Sequence, residues 1–388
     1  MNTATDVPAQ VEEQRSELVA LARDFASREI VPHAAQWDRE ARFPAETIKR
    51  LAELGFFGML IPEEYDGLGL DLLTYLMVLE EIAAADAGVA VALSIHNSLV
   101  AGMILAHGTD EQRGRWLKPM ARGEVLAAFS LSEPDSGSDA ASLSTRAQRT
   151  GNQWVLNGMK AWVTNGDVAD LIVVMARSGA SDTPPGARGI SAFLLPGRTP
   201  GATPGKPEDK MGLRASHTTT LALNDVRLGA DAVLGKEGEG FSYALAGLDR
   251  GRLGVAAQAV GISRAALQHA VRYASERKQF DTPIREFQAI QFQLADMATR
   301  VAAARSLLHE AARGSIPDTP ANAQASMAKL FASETAMWVT THAVQIFGGY
   351  GYMRDYPVER LFRDAKVTEI YEGTSEIQRM VIGRALGG

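Results

Sequence analysis

A glutamate near the C-terminus of this 388-residue sequence stands where a carboxylate could act as a base. Glu372 lies between Tyr371 and Gly373, and the glycine suits a tight turn because it has no Cβ. Thr374 or Ser375 can cap the helix that is predicted to follow. A carboxylate on such a turn can be directed into a cavity, where loss of water raises its pKa and makes it a better proton acceptor near neutral pH. The alternative is an ordinary solvated glutamate in a surface loop.

Two loops at predicted strand ends combine hydroxyl groups with a flat aromatic surface. The first runs from Leu131 to Asp139 and contains three serines, so several O–H and backbone N–H groups can converge on a ligand. In the second, Trp162 and Thr164 are two residues apart on a strand, so both side chains point to the same side. This pairing suits a planar cofactor ring with a hydrogen-bonding edge. A polar surface turn and a core tryptophan beside a turn are the structural alternatives.

Cationic and glycine-rich segments occur in the C-terminal part of the chain. Arg277 and Lys278 precede Phe280 at a predicted helix end, a combination that can bind pyrophosphate and adenine, although basic residues are also common at helix C-termini. The segment from Gln345 to Gly351 allows a ligand to approach the backbone closely. It follows a helix, and no Gly-Lys-Ser/Thr occurs, so neither a dinucleotide fingerprint nor a phosphate-binding loop is predicted.

Composition excludes several other kinds of chemistry. The sequence has no cysteine, which excludes disulfides, iron–sulfur clusters, thiolate zinc sites and a cysteine nucleophile. Its seven histidines show no metal-ligand spacing and there is no Gly-x-Ser-x-Gly motif, so neither a metal site nor a serine hydrolase is predicted. The net charge of −7 argues against a nucleic-acid partner and a polybasic membrane anchor.

The sequence shows no pattern typical of a targeting signal or a membrane span. Residues Met1 to Gln10 lack the character of a secretory or transit signal. The longest apolar run, from about Gly88 to Leu93, is too short to span a bilayer. We therefore expect a cytoplasmic protein without a membrane partner.

The spacing of apolar residues divides the chain into three regions, which together position these candidate site residues. Apolar residues recur at helical spacing up to about Ala121, alternate with period two between about Val125 and Leu228, and return to helical spacing from about Gly240. Asn157-Gly158, after a short strand, is the strongest hairpin signal. The layout predicts an α+β, mainly α protein with an all-α domain over 1–124, a β domain over 125–235 and a helical bundle over 236–388.

Taken together, these segments resemble the acyl-CoA dehydrogenases over nearly the whole chain. The matching landmarks occur in the family's order: Tyr65 to Gly69, Ser132 to Asp139, Trp162 to Gly166, Arg277 to Phe280, Gln345 to Gly349 and Tyr371 to Thr374. The resemblance implies an N-terminal helical domain, a middle β-barrel and a C-terminal four-helix bundle. It also implies a homotetramer, with FAD between the barrel and the bundle.

The resemblance assigns residues to the cofactor and to the substrate. Trp162 would pack on the flavin ring with Ser132 and Thr164 at its edge, and the ADP half would be held across a subunit boundary. The residues implied for FAD are Phe129, Leu131, Ser132, Gly137, Ser138, Trp162, Val163, Thr164, Arg277, Gln279, Phe280, Gln288, Gln345, Gly348, Gly349, Thr374 and Glu376. Those implied for an acyl-CoA are Ser138, Asp249, Arg252, Tyr371, Glu372 and Gly373.

By the same resemblance, Glu372 is the base that removes the α-proton of an acyl-CoA while the β-hydride passes to flavin N5, as in fatty-acid β-oxidation. The Glu372 backbone N–H and a flavin ribityl hydroxyl would polarise the thioester carbonyl. The product would be a trans-2-enoyl-CoA, and electron-transfer flavoprotein would reoxidise the cofactor. Some members carry the base on the helix after the barrel, where this chain has Gly251, which favours Glu372 as the single base. The segment Leu248 to Gly261 most resembles short-chain and short-branched-chain members.

Three alternatives remain open. The first is an acyl-CoA oxidase, which uses dioxygen as acceptor, and the second is a flavin-binding or DNA-associated family member without turnover. The third is a helical scaffold without cofactor, which leaves the Trp162 and Arg277 segments unexplained. Two departures from the family pattern concern loop geometry, because Asp135 and Asp281 stand where glycine is usual.

Overall fold

Helices dominate both ends of the computed structural model, which describes residues 9–179 and 186–387. Most of the N-terminal segment considered for targeting, residues 1–8, lies outside the described residues. The N-terminal helices are α1 Ala9–Phe25, α2 Val31–Glu40, α3 Ala45–Glu53, α4 Leu72–Ala85, α5 Ala87–Ser94, α6 Gly102–His107 and α7 Asp110–Ala121. π-helical segments, Ala26–Ile30 and Ile95–Ala101, link α1 to α2 and α5 to α6. The predicted helical N-terminal region is therefore confirmed.

The helix that contains the longest apolar run is much longer than the run itself. Ala87–His107 is the one helix within residues 9–179 and 186–387 that is long and apolar enough, by length and composition, to cross a membrane. The sequence pattern underestimated the length of this helix because His96 and Asn97 interrupt the apolar run. Both are fully buried, and Asn97 Nδ2 donates to Phe56 O at 2.9 Å. Most of the helix is buried against α4, the sheet and the long C-terminal helix Gly240–Glu276, as in a central core helix.

The middle region is one β-sheet with its own core. Its strands are β1 Ala127–Ser130, β2 Arg146–Thr150, β3 Gln153–Thr164, β4 Leu171–Arg177, β5 Ile190–Pro196, β6 Ala202–Pro204, β7 Thr218–Gly229 and β8 Val233–Leu234. The order is β6-β7-β3-β2-β4-β5-β8, and β1 lies parallel to β4. The predicted β domain is thus present. Instead of a closed barrel, the described strands form an open path whose ends, β6 and β8, do not pair with each other.

The hairpin predicted at Asn157-Gly158 is wrong. β3 continues through both residues to Thr164, and the turn that joins it to β2 lies at Gly151, whose φ is 63°. Gly158 instead takes up a shift in register between β3 and β7. Its hydrogen faces Thr145 so closely that a Cβ would lie 2.8 Å from the Thr145 Cα. The glycine is therefore explained by close approach within the sheet and not by a turn.

The C-terminal region is again helical. Its elements are α8 Gly240–Glu276, α9 Gln288–Arg313, α10 Ala321–Phe347, α11 Pro357–Val367 and α12 Ser375–Ala385, with a small hairpin of β9 Lys278–Gln279 and β10 Thr282–Pro283 after α8. Helices α8, α9 and α10 pack against one another, and α12 packs on α10. α4 also packs on α8, so the N- and C-terminal helices share one hydrophobic core. The Glu372 turn lies between α11 and α12, beside α8 and α10.

The predicted domain boundaries fall in connections of this chain. The boundary at 124/125 lies between the end of α7 at Ala121 and the start of β1 at Ala127, and that at 235/236 lies between β8 and α8. These divisions stay predictions, since the two helical regions share a core.

Candidate active site

The turn that carries Glu372 has an unusual backbone conformation that its neighbours hold in place. Glu372 and Gly373 both have positive φ, 52° and 94°, a conformation that glycine adopts without strain and glutamate does not. Gln378 Nε2 donates to Gly373 O at 2.8 Å and to Glu372 O at 3.2 Å. Lys329 Nζ, from α10, donates to the same Gly373 O at 2.6 Å. Thr374, one of the two residues predicted to cap α12, accepts from the Ile377 N–H.

The Glu372 carboxylate points towards α8, and one of its two oxygens is shielded from water. Oε2 is buried and has no hydrogen-bond partner in the described part of the chain. Gly251 lies directly opposite, so close that a Cβ added there would overlap this oxygen. Burial raises the pKa of Glu372 to about 7, while the positive charges of Lys329 and Arg252 act in the opposite direction. Such a carboxyl group exchanges its proton near neutral pH, which suits a general base.

Residues predicted to contact the substrate lie along the same side of α8. Arg252 is buried and pairs with Asp249 at 2.5 Å, while its Nε atom has no partner among residues 9–179 and 186–387. Farther along the helix, Tyr371 donates its hydroxyl to Gln258 Oε1, and Gln258 Nε2 donates to Ala87 O at 2.7 Å. The structure thus brings Asp249, Arg252, Tyr371, Glu372 and Gly373 together.

Two further hydroxyl groups lie near the carboxylate. Tyr75 on α4 is fully buried. This burial raises the pKa of its hydroxyl, and the negative charge of Glu372 acts in the same direction to a smaller extent. Within the described ranges, neither the Tyr75 hydroxyl nor the Ser94 hydroxyl has a hydrogen-bond partner. A Cβ added at Gly254 would overlap Ser94 Oγ, so α8 approaches α5 closely here. Glycines 251 and 254 therefore leave the room that the Glu372 and Ser94 side chains occupy.

The two polar loops at the strand ends are tied together by a buried ion pair. Lys160 Nζ on β3 lies 2.8 Å from Glu133 Oε1 and donates to Leu131 O at 3.0 Å. Glu133 also accepts from the Ser144 and Thr145 N–H groups. Burial lowers the pKa of Lys160 to about 8, against the attraction of Glu133. The Ala161 N–H donates to Ser132 O at 2.9 Å, so the serine loop and the tryptophan strand form one unit.

This unit presents a surface that fits a flat polar ring. Trp162 has a positive φ of 59° and is 65% exposed, which is unusual for so large an apolar side chain. Ser132 and Thr164 are half-buried, and neither hydroxyl makes a hydrogen bond within the residues that the structure describes. Val163 and Leu131 are buried beneath the surface, Phe129 is half-buried, and Gly137 and Ser138 are exposed. An exposed aromatic face can stack on an isoalloxazine ring, and the two hydroxyl groups beside it can hydrogen-bond to the polar edge of that ring.

Other predicted cofactor residues surround a separate cavity of about 580 Å³. Its lining includes Arg277, Gln279, Gly348 and Gly349, together with Tyr350, over which the Arg277 guanidinium lies 5.5 Å from the ring centroid. Within the described residues Arg277 makes no salt bridge, so its charge is available to an anion. The cavity does not include Ser132, Trp162, Thr164 or Glu372.

The remaining predicted cofactor residues are at the surface. Phe280 is 91% exposed, and both it and Asp281 have positive φ, 51° and 60°, so the aspartate adopts the conformation for which glycine is usual. Gln288 at the start of α9 and Gln345 near the end of α10 are exposed, as is Glu376 in the first turn of α12. The structure does not bring Phe280, Gln288 or Gln345 to the Glu372 pocket or to the lining of the 580 Å³ cavity. Residues 9–179 and 186–387 contain no group of three or more acidic or histidine side chains suited to a metal ion.

Sequence reasoning did not find several residues that shape the site. These are Tyr75, Glu133, Lys160, Gln258, Lys329 and Gln378. Lys329 carried a signal that could have been used, since it is a single lysine among small residues of a buried helix face, between Ala328 and Ala332. The contacts of Gln378 are local, since Glu372 and Gly373 lie six and five residues before it. The contacts of Glu133, Lys160 and Gln258 join segments that are distant in the chain and are not visible as local patterns.

Comparison with known proteins gives one consistent result. Models of the acyl-CoA dehydrogenase N-terminal, middle and C-terminal domains match residues 12–124, 128–226 and 238–387. The short-chain specific acyl-CoA dehydrogenase, mitochondrial, of Bos taurus is 49% identical over 360 residues, covering 93% of this chain and 87% of that protein.

Solved structures give the same result over the full length. Butyryl-CoA dehydrogenase from Megasphaera elsdenii is 44% identical with a TM-score of 0.94, and the match covers 100% of both chains. A chain from a structure described as the electron transferring flavoprotein of Acidaminococcus fermentans has 45% identity and a TM-score of 0.94, covering 100% of this chain and 99% of that one. A glutaryl-CoA dehydrogenase from Mycobacterium smegmatis in complex with FADH2 is 33% identical with a TM-score of 0.90, covering 96% and 94%.

Proposed function

This chain belongs to the acyl-CoA dehydrogenase family and is an oxidoreductase of that kind, and from this premise we propose that it converts short-chain acyl-CoA thioesters to trans-2-enoyl-CoA. The observation that carries the proposal is the Glu372 carboxylate, held on a positive-φ turn with one oxygen buried and unpartnered within the described residues. A short acyl chain is supported by the relatives named above for short-chain and butyryl substrates.

Glu372 is the proposed base for the α-proton. Because burial raises its pKa to about 7, the carboxylate is basic enough to accept a proton and still ionised in a useful fraction of molecules at neutral pH. Gly251 leaves the space in which the carboxylate sits, and no other acidic side chain is offered at that position of α8. The proton therefore moves from the substrate α-carbon to a Glu372 oxygen.

The same residue offers a donor for the thioester carbonyl. Its backbone N–H has no hydrogen-bond partner among the residues that the structure describes. A donor directed at the carbonyl oxygen stabilises the negative charge that develops there as the α-proton leaves. The Lys329 and Gln378 contacts to the turn fix the direction of this N–H as well as that of the carboxylate.

The family depends on FAD, and the residues of this chain fit that cofactor. Trp162, with Ser132 and Thr164, would hold the flavin ring, and Arg277, Gln279, Gly348 and Gly349 would hold the ADP half. When bound, FAD supplies the acceptor for the β-hydride, which the side chains of a protein cannot supply. Because the ring residues and the cavity residues lie in different parts of one chain, we propose that each cofactor contacts two chains of a homotetramer.

A hydrogen-bonded pair supports the short acyl chain. Tyr371 and Gln258 are joined two turns along α8 from Gly251, and Gln258 is anchored to Ala87 O. We propose that these two side chains limit the space available to a longer acyl chain beside Glu372. Asp249 and Arg252 lie near Gly251, at the opposite end of this stretch of α8 from Gln258. We propose that they contact the CoA portion, together with Ser138 on the serine loop.

The electron acceptor is proposed to be electron-transfer flavoprotein. The similarity to a chain in a structure described as an electron transferring flavoprotein supports this relation. An oxidase would instead consume oxygen and form one peroxide per turnover without any added acceptor. The cytoplasmic location stays a prediction.

A panel of acyl-CoAs under anaerobic conditions tests the function. Purified protein is expected to contain FAD, and butyryl-CoA should bleach the oxidised flavin faster than long-chain or branched thioesters. Glu372→Gln should retain the flavin and bind acyl-CoA but lose about 10²–10⁴-fold in the rate of bleaching, because the base is gone. Rapid bleaching by the Glu372→Gln protein would remove this residue from the mechanism. A protein that binds no flavin after reconstitution would refute the proposed function.

A further inference from the structure

A lysine whose positive charge has no part in the reaction described above is buried beside the Glu372–Gly373 turn. Lys329 is fully buried in the middle of α10, where its neighbours Ala325, Ala328 and Ala332 are small and apolar. Burial of an ammonium group is unfavourable unless it is paired, and lysine is rarely buried without a partner. Within the described residues Lys329 makes one hydrogen bond, to Gly373 O at 2.6 Å, and no salt bridge.

The charged groups that face Lys329 come from three elements. Arg252 and its partner Asp249 lie on α8, Glu369 and Glu372 precede α12, and Glu376 lies in its first turn. Asp249 is paired with Arg252, and Glu369 is paired with Lys366 at 2.6 Å, while Glu376 is exposed. Glu372 is therefore the carboxylate in this group that has a buried oxygen, Oε2, and no ion pair of its own within the described residues.

Two donors of different charge hold the same carbonyl oxygen. Lys329 Nζ and Gln378 Nε2 both donate to Gly373 O, at 2.6 and 2.8 Å. Both side chains are fully buried. If the turn needed only donors, a second neutral amide would serve and the cost of a buried ammonium group would be avoided. The presence of a cation at this position therefore indicates a use for its charge.

We propose that Lys329 is a positioning residue for the dehydrogenation, which holds the Glu372–Gly373 turn through Gly373 O and keeps the Glu372 carboxylate ionised through its positive charge. The inference rests on the proposed function, in which Glu372 is the base. A cation near a buried carboxylate favours the charged form and lowers the pKa, whereas burial raises it. Lys329 acts on the substrate through Glu372 and does not contact the reacting atoms.

Loss of the Lys329 charge should move the pH dependence of dehydrogenation to higher pH. In the wild-type protein kcat/KM should rise as the pH passes about 7, because Glu372 must lose its proton before it can act. Removal of the nearby cation raises the pKa of Glu372 further, so the rising limb moves to higher pH. We expect a shift of about one pH unit, which lowers kcat/KM about tenfold on the acidic side of the profile.

Two variants separate the charge of Lys329 from its hydrogen bond. Lys329→Gln removes the charge and keeps an N–H donor near Gly373 O. Gln378→Leu removes a donor to the same oxygen and leaves every charge in place. If the inference is correct, only Lys329→Gln shifts the acidic limb, while Gln378→Leu lowers kcat with the limb unmoved. Equal shifts in both variants, or an unshifted limb in Lys329→Gln, would overturn it.

A measurement without turnover gives an independent test. The carboxylic C=O stretching band of Glu372 can be identified in pH-difference infrared spectra by its loss in Glu372→Gln. The band should titrate near pH 7 in the wild-type protein and about one unit higher in Lys329→Gln or, if that variant does not fold, in Lys329→Met. Titration at the wild-type pH in the folded variant would refute the role of Lys329. Failure of every acyl-CoA to bleach the wild-type flavin would instead refute the proposed function, and the infrared comparison would still decide on Lys329.

Discussion

At the scale of single residues, the proposed chemistry depends on where one carboxylate is held. Glu372 has a backbone conformation that glutamate rarely adopts, and it persists because Lys329, Gln378 and the Thr374 cap hold the turn on several sides. The pKa of its carboxyl group is raised by burial and restrained by nearby cations. A small displacement of this side chain should therefore affect both its direction and its basicity.

Gly251→Ala tests that placement with the smallest possible change. The added methyl group would overlap Glu372 Oε2, so the carboxylate must move, and we expect kcat to fall by about 10²-fold with bound flavin retained. Gly383→Ala is the matched control, since Gly383 also lies in a helix and no atom of the described residues lies within 4 Å of an added Cβ. Steady-state kinetics of both variants are the measurement. Wild-type kcat in Gly251→Ala would show that the carboxylate is not confined as described.

At the scale of elements, the sheet carries a surface for a flat ring because two of its loops are joined by a buried charge pair. Lys160 and Glu133 are both excluded from solvent, and their contacts to Leu131, Ser144 and Thr145 satisfy most of their hydrogen-bonding groups. Removal of one partner leaves the other charge buried without compensation, which costs far more than loss of an exposed pair.

Lys160→Met is expected to destabilise the sheet and weaken flavin binding together. The free energy of unfolding should fall by about 3–5 kcal/mol, because the Glu133 carboxylate stays buried without its cation. Arg379→Met provides the comparison, since the Arg379–Glu334 pair is exposed and should contribute at most about 1 kcal/mol. Urea titration and the flavin content after gel filtration measure the two effects. Equal losses of stability in the two variants would contradict the structural role of the Lys160–Glu133 pair.

At the scale of the whole molecule, the three regions are held in a fixed relation by contacts at their junction. Arg363 on α11 pairs with Asp38 on α2 through its two terminal nitrogens, Nη1 at 2.8 Å and Nη2 at 2.6 Å. The neighbouring Asp364 accepts from the Leu213 N–H at 2.7 Å, which joins α11 to the middle region. These contacts join the helices that precede the Glu372 turn to the N-terminal and middle regions. The 580 Å³ cavity lies at the ends of α8 and α10, and neither the sheet loops nor Glu372 line it.

Mixed assemblies test whether the cofactor bridges two chains. Trp162→Ala should lose the ring contact and Arg277→Ala the ADP contact, so each protein alone should retain little FAD. When the two are co-expressed, mixed assemblies should recover flavin in up to half of the sites that a Trp162→Ala chain shares with an Arg277→Ala chain. One of each two such sites combines the intact Trp162 of one chain with the intact Arg277 of the other. The ratio of flavin to protein in the purified mixed species is the measurement. No recovery would show that Trp162 and Arg277 act on a cofactor within a single chain.

Local patterns were sufficient for much of this protein. The change from helical to alternating and back to helical periodicity indicated the three regions, and adjacent residues predicted the Gly373 turn with a cap at Thr374 or Ser375. These features depend on backbone angles and on neighbours within a few positions, which the order of residues specifies directly. The family landmarks gave the candidate cofactor and substrate residues, whose roles stay predictions.

Tertiary structure alone decided what surrounds those residues. The Asn157-Gly158 pair has the composition of a turn, yet close packing on Thr145 kept it inside a strand. Lys329 is close to Glu372 only because α10 lies beside the turn before α12, and Gln258 meets Tyr371 only because α8 passes behind it. The pKa of a carboxyl group depends on the water it loses and the charges it approaches, and both are set by packing between segments that are distant in the chain.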